Sequence, residues 1–128
     1  MAVFGGVALY DLYWFWVDTL ARLGMLPEGI AGFDIHGWVA IMPVSSNLAF
    51  YASLGFKVIG LGLLALGSRL AIHALGISVI FHAIDWVGLS GNAYYDGSID
   101  GTISMALQSL AMIPLIYLLS SQGLRESR

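Results

Sequence analysis

Residues 47–89 read NLAFYASLGFKVIGLGLLALGSRLAIHALGISVIFHAIDWVGL, and they give the clearest signal of the fold. It contains two runs of about 20 mostly apolar residues, the length that an α-helix needs to cross the hydrocarbon core of a bilayer. The Gly-Ser-Arg sequence at 67–69, between the two runs, has the chemistry of a turn. The stretch therefore predicts a hairpin of two membrane-spanning helices, over residues 47–67 and 69–89.

The same stretch allows a second register. It puts the first helix over 37–56 and the turn near Lys57, and it leaves 58–89 as one overlong helix with Arg69 near its middle. Span length favours the first register, although that register puts Lys57 near the bilayer midplane. Whether the inner turn lies at Lys57 or at Arg69 stays open at this point.

The composition of the whole chain is that of a membrane protein. Of its 128 residues 59% are hydrophobic and 10% are charged, against roughly a quarter charged in a soluble domain, and the mean hydropathy is +0.84. These values exclude a disordered chain and almost any soluble domain. The net charge of −3 argues against nucleic acid as a partner. The absence of cysteine excludes thiol catalysis, disulfides and thiolate metal sites.

Two further spans are expected on either side of the hairpin, over about 2–23 and 101–120. In the second, Pro114 should kink the helix, and the polar tail from Gln122 should end it. We therefore predict a single all-α membrane domain over residues 1–128, a four-transmembrane-helix bundle. The long outer loop, 24–46, contains an apolar segment that could lie in the membrane interface.

The sign of the charges predicts the orientation. One side of the predicted bundle is basic, with a single acidic residue: Arg69, Arg125, Arg128 and Glu126. The other side is mostly acidic: Arg22, Glu28, Asp34, Asp96 and Asp100. By the positive-inside rule, both termini are cytoplasmic and the protein is multi-pass in the cell membrane.

Ionisable side chains inside a span usually mark a function or a paired contact. Asp11 lies near the middle of the first span and must face the bundle interior, a partner or a water-filled cavity. Asp18 lies four residues before Arg22, in the favourable order for a helix ion pair, so it has a structural explanation beside a catalytic one. Lys57 would be a costly lone charge, and we predict that it pairs with Asp11 or Asp85.

His82 and Asp85 are three residues apart on the third span, share a face and can form a hydrogen bond. Such a pair is a candidate general acid and base. The alternative is a satisfied polar pair near the outer interface, where Trp86 would belong to the aromatic belt. His73 lies on the opposite face from His82, so the two cannot bind one haem within a subunit. A haem shared with a partner subunit stays open.

Other side chains either pack or line a pocket. Tyr10 and Trp14 belong to an aromatic cluster that faces lipid or forms a wall able to stabilise a cation or polyene. A polar stripe on the fourth span joins helices or completes a cavity; it consists of Asp100, Ser104 and Gln108. Glycines along the hairpin predict close helix packing; they are Gly55, Gly60, Gly62, Gly67, Gly76 and Gly88.

These features favour a membrane-embedded acid/base enzyme, of isomerase or cyclase (lyase) type, acting on an isoprenoid- or sterol-like molecule. The candidate catalytic residues are Asp11, Asp18, His82 and Asp85. The candidate substrate-binding residues are Tyr10, Trp14, Lys57, Trp86 and Gln108. We expect no metal or other resident cofactor. Expected partners are the lipid bilayer, a hydrophobic small molecule and either a second copy or a partner membrane subunit.

Two other functions stay open. A small proton-coupled transporter would use the same carboxylates as coupling sites and would need a cavity that continues across the membrane. An accessory or anchor subunit of a larger complex would use its charges for assembly, with carboxylates facing lipid in the isolated chain. Convergence of Asp11, His82 and Asp85 on one closed, apolar-walled pocket would favour the enzyme.

Overall fold

The computed structural model describes residues 2–26, 34–92 and 99–126. These ranges contain five helices and no strand: α1 (Ala2–Arg22), α2 (Ile35–Ile41), α3 (Val44–Ala65), α4 (Leu70–Leu89) and α5 (Ile99–Glu126). The prediction of an all-helical protein is thus confirmed for this part of the chain. Three helical segments are long and apolar enough to cross a membrane: Val44–Ala65, Leu70–Leu89 and Gly101–Leu118.

A tight turn over residues 66–69 joins α3 to α4. Gly67 has a φ of +69°, a left-handed conformation that glycine adopts without steric cost. Its N–H donates to the carbonyl of Leu64 at 3.1 Å, and the N–H of Ser68 donates to that of Leu63 at 2.9 Å, which closes the end of α3. Lys57 lies inside α3, so the chain follows the first of the two registers.

Helices α3 and α4 pack closely along an antiparallel seam. A Cβ atom on Gly60 would lie 2.7 Å from Leu75 Cγ, and one on Gly88 would overlap the Ser46 hydroxyl. Glycine packing is therefore confirmed at these two positions. At the other four glycines named for the hairpin a Cβ would meet nothing within 4 Å: Gly55, Gly62, Gly67 and Gly76.

Apolar side chains attach the other helices to this hairpin. One buried cluster joins α1, α4 and α5, and it contains Phe4, Val7, Ile72, Leu75, Ala111 and Leu115. A second joins α1 to α2, and it contains Val17, Ala21, Ile35 and Trp38. The apolar segment of the outer loop is thus a short helix held on α1, and Asp34 caps it by accepting a hydrogen bond from the Gly37 N–H at 2.9 Å.

Helix α5 is longer than the span predicted within it. It continues through Pro114 to Glu126, whereas the polar tail was expected to end it from Gln122. Most residues of that tail, including Gln, Leu, Arg and Glu, are good helix formers, so loss of hydrophobicity does not end the helix.

Candidate functional site

A cavity of about 50 Å³ lies among the helices, with every helix contributing at least one side chain. The residues that line it are Tyr10, Asp11, Trp14, Trp38, Met42, Phe50, His82, Asp85, Leu89 and Ser104. Aromatic and apolar groups form most of the wall, and the few polar groups are concentrated on α1, α4 and α5. An apolar pocket with a few convergent polar groups is the usual form of a small-molecule site.

His82 and Asp85 are buried and line this cavity together. Within the described ranges, both ring nitrogens of His82 lack a hydrogen-bond partner, and so does the Oδ1 of Asp85. The bond predicted between them is therefore not formed. The imidazole instead packs edge-on against Trp86, with 5.1 Å between ring centroids. Buried polar atoms that lack partners are rare, because burying them unpaired costs free energy.

Asp11 reaches the same cavity but is fully engaged. It forms an ion pair with Lys57, and Gln108 Nε2 donates to its Oδ1 at 3.3 Å. Lys57 Nζ also lies 3.4 Å from Gln108 Oε1, so the three side chains form one cluster between α1, α3 and α5. The predicted pairing of Lys57 with a buried carboxylate is confirmed. Removal of either charge would leave the other unpaired in an apolar interior.

Asp18 belongs to a separate cluster near the C-terminal end of α1. Arg22 Nε lies 3.1 and 3.0 Å from its two oxygens, and the hydroxyl of Tyr51 donates to Oδ2 at 2.5 Å. The structural explanation of Asp18 is confirmed, and Asp18 does not line the cavity. Tyr51 was missed from the sequence, because an aromatic residue in a span carries no signal of a hydrogen bond to another helix.

The other predicted binding residues lie at two different places in the structure. Tyr10 and Trp14 line the cavity, as expected of an aromatic wall. Trp86 and Gln108 lie instead on a groove between α4 and α5, which His82 also borders. Five cavity residues are not among the candidate catalytic or binding residues of the sequence: Trp38, Met42, Phe50, Leu89 and Ser104.

The polar stripe of α5 is described only in part. Ser104 lines the cavity and Gln108 joins the cluster with Asp11, while the Asp100 side chain lies outside the described part of the chain. In that part, no three His, Asp or Glu side chains come together to hold a metal ion. The chemistry that these residues offer at the cavity is proton transfer by an imidazole and a carboxyl group.

Comparisons of this chain with protein-family models, curated proteins and solved structures find no match.

Proposed function

We propose that this protein is a four-span membrane enzyme that carries out acid/base chemistry on a hydrophobic molecule in the cavity. The observation that carries the proposal is that the buried residues His82 and Asp85 border one partly open, aromatic-walled space and have polar atoms that no described residue satisfies. In an ordinary structural pair those atoms would bond to each other or to a neighbour. In the proposal, a substrate that enters the cavity and displaces its wall slightly satisfies them.

The proposal treats α1 as the fourth span. Its 21 residues would extend over about 31 Å, close to the thickness of the hydrocarbon core. Its two aspartates are buried against other helices, while Leu9, Tyr13 and Trp16 are exposed. The polar side of α1 thus faces protein and its apolar side is available to lipid. With the basic turn at Arg69 inside, both termini are cytoplasmic.

Single cysteines test this topology without background, because the chain has none of its own. Ala2 and Leu23 are exposed at opposite ends of α1. In intact cells an impermeant maleimide should label Leu23→Cys and leave Ala2→Cys unlabelled until the membrane is opened. Labelling of both positions from outside would contradict the fourth span.

In the proposed reaction, the protonated carboxyl group of Asp85 gives its proton to one carbon of a double bond. A nitrogen of His82 takes a proton from a neighbouring carbon, so one C–H bond forms, one breaks and the double bond moves. Transfer of that proton from His82 back to Asp85 resets the site. The faces of Trp14 and Trp38, whose centroids are 6.1 Å apart, would stabilise the cationic intermediate.

The cavity volume narrows the substrate class that the composition suggested. A space of about 50 Å³ is smaller than the roughly 150 Å³ cavity that accepts a benzene ring. A fused sterol nucleus would require the helices to separate. We therefore favour the unsaturated end of an isoprenoid-like chain, whose remainder stays among the lipids.

The other two functions have less support. A transport path would have to continue past Asp11, where Lys57 and Gln108 join three helices by polar contacts. An accessory subunit was expected to turn its carboxylates toward lipid, but Asp11, Asp18 and Asp85 are all buried.

Deuterium incorporation tests the enzyme proposal without requiring the substrate to be identified first. Vesicles of the purified protein and an isoprenoid-rich membrane lipid extract are incubated in D₂O, and mass spectrometry follows the lipids. We expect one lipid class to gain carbon-bound deuterium with the wild type but not with Asp85→Asn or His82→Gln. Trp16→Phe, an exposed position on α1, serves as the matched control and should keep the activity. Equal incorporation in protein-free vesicles would contradict the proposal.

A further inference from the structure

Two serines of α3 form hydrogen bonds to the backbone of α4, at the two ends of the stretch that contains His82. Ser53 Oγ donates to the carbonyl of Ser78 at 2.9 Å, and Ser46 Oγ donates to the carbonyl of Asp85 at 3.4 Å. Both serines are completely buried, at 0% exposure. A side-chain hydrogen bond to another helix's backbone fixes the two helices at that point more narrowly than apolar packing does.

The two bonds belong to one register of the hairpin. Ser46 and Ser53 are seven residues apart along α3, and their acceptors, Ser78 and Asp85, are seven residues apart along the antiparallel α4. Seven residues are two helical turns, about 10 Å, so both bonds lie on one face of each helix. A slip of one residue, or a rotation of α4 about its axis, would break both bonds together.

The acceptors connect these bonds to the candidate acid and base. In an α-helix each carbonyl accepts from the N–H four residues later, so the Ser78 carbonyl that Ser53 contacts also accepts from the backbone of His82. The carbonyl that Ser46 contacts belongs to Asp85 itself. Each serine therefore constrains the backbone at one of the two residues.

The side chains of His82 and Asp85 have few constraints of their own. Both ring nitrogens of His82, and Oδ1 of Asp85, lack a hydrogen-bond partner in the described ranges. Groups that carry out proton transfer must be held within about 0.5 Å of the productive geometry, usually by hydrogen bonds from surrounding residues. Here that precision has to come from the position of the α4 backbone.

We propose that Ser46 and Ser53 are positioning residues for the acid/base reaction, an inference that rests on the proposed function. Their hydrogen bonds fix the rotation and the height of α4 against α3. His82 and Asp85 are thereby held at constant places on the cavity wall, although neither serine lines the cavity.

Kinetics of deuterium incorporation test the proposal. Ser53→Ala and Ser46→Ala each remove one hydroxyl group, and Ser45→Ala, at an exposed neighbouring position of α3, is the matched control. Incorporation in D₂O is measured over a range of concentrations of the isoprenoid-rich extract. We expect the maximal rate to fall by about 10- to 100-fold in Ser53→Ala, the effect of a small misplacement, and less in Ser46→Ala, whose bond is longer. The half-saturating concentration should stay unchanged, because the cavity wall is intact.

An NMR measurement reports the position of His82 without requiring activity. The protein is labelled with ¹³C-histidine, and the His82 ring resonance is identified by its absence in His82→Gln. Trp86 lies on the same helix and moves with His82, so its ring-current effect stays constant. A change in the His82 resonance therefore reports a displacement against Trp14 and Trp38, which line the cavity from other helices.

The two measurements separate this inference from the proposed function. We expect the His82 resonance to move in Ser46→Ala and Ser53→Ala but not in Ser45→Ala, with the exposed His73 as the reference in the same spectrum. An unchanged His82 resonance in both serine variants would overturn the positioning role, whatever the activity. Undiminished maximal rates in both would also overturn it and would leave the proposed function intact.

A wild type that incorporates no deuterium would instead contradict the proposed function, and the NMR result alone would then decide whether the serines hold α4 in place. The two serine variants are independent of each other, so either one is sufficient if the other does not fold.

Discussion

Two polar clusters are buried to nearly the same extent, but the side chains of one are hydrogen-bonded and those of the other lack partners. In the first, Asp11 and Lys57 are 2% and 3% exposed; in the second, His82 and Asp85 are 5% and 4% exposed. The first cluster is closed: its two charges pair with each other and with Gln108. The second leaves an imidazole and a carboxylate oxygen without partners in the described chain.

The difference distinguishes buried polar groups that stabilise the fold from buried polar groups that are candidates for chemistry. A buried charge with a partner holds helices together, and it is costly only when the partner is lost. A buried polar group without a partner lowers stability as it stands, and such costs are tolerated at functional sites. Burial alone does not distinguish the clusters, so the predictions below test their pairing.

The largest expected effect is the loss of the ion pair. Lys57→Met should lower the free energy of unfolding by about 3–5 kcal/mol, because it leaves the Asp11 carboxylate unpaired. Asp11→Leu combined with Lys57→Met should recover most of that loss. Denaturant unfolding in detergent measures both, and a single variant as stable as the wild type would show that the pair is not structural.

Disrupting the packing of the α3–α4 seam should lower the free energy of unfolding somewhat less. It provides a scale against which the loss of the ion pair can be compared. Gly60→Ala should destabilise the protein by about 1–3 kcal/mol, since its Cβ would overlap Leu75. Gly62→Ala, two residues away with open space, is the matched control and should be neutral. The same unfolding experiment applies. Equal effects at the two glycines would contradict the described seam.

The Asp18 cluster should respond more weakly. Tyr51→Phe removes one hydrogen bond to a carboxylate that Arg22 still holds, so we expect a loss of about 1.5 kcal/mol, at the lower end for charged partners. Thermal unfolding should detect it, and deuterium incorporation should continue. Loss of that activity with unchanged stability would instead assign the Asp18 cluster to the chemistry.

The smallest effect on stability is expected at His82. His82→Leu replaces an unpaired polar ring with an apolar side chain, so stability should change by less than about 1 kcal/mol, and it could rise. Deuterium incorporation should nevertheless be lost. A destabilisation comparable to that of Lys57→Met would mean that His82 is a structural residue.

Much of the helical architecture followed from simple sequence features. Span length and the turn chemistry at 67–69 located the hairpin, and the cost of a lone charge identified the partner class of Lys57. Features that depend on helix orientation could not be derived. The sequence placed His82 and Asp85 on one face, but the orientation of the His82 ring depends on its packing with Trp86. Likewise, Trp38 and Phe50 reach the cavity only because α2 and α3 pack around it.

The contrast between the two clusters is tested most directly by a hydrophobic carbodiimide, which modifies protonated carboxyl groups inside membranes. The purified protein in vesicles is treated with dicyclohexylcarbodiimide, and peptide mass spectrometry locates the adduct. We predict modification of Asp85 and none of Asp11, whose carboxyl oxygens are engaged by Lys57 and Gln108. Modification of Asp11 with Asp85 untouched would contradict the assignment of structure to the first cluster and chemistry to the second.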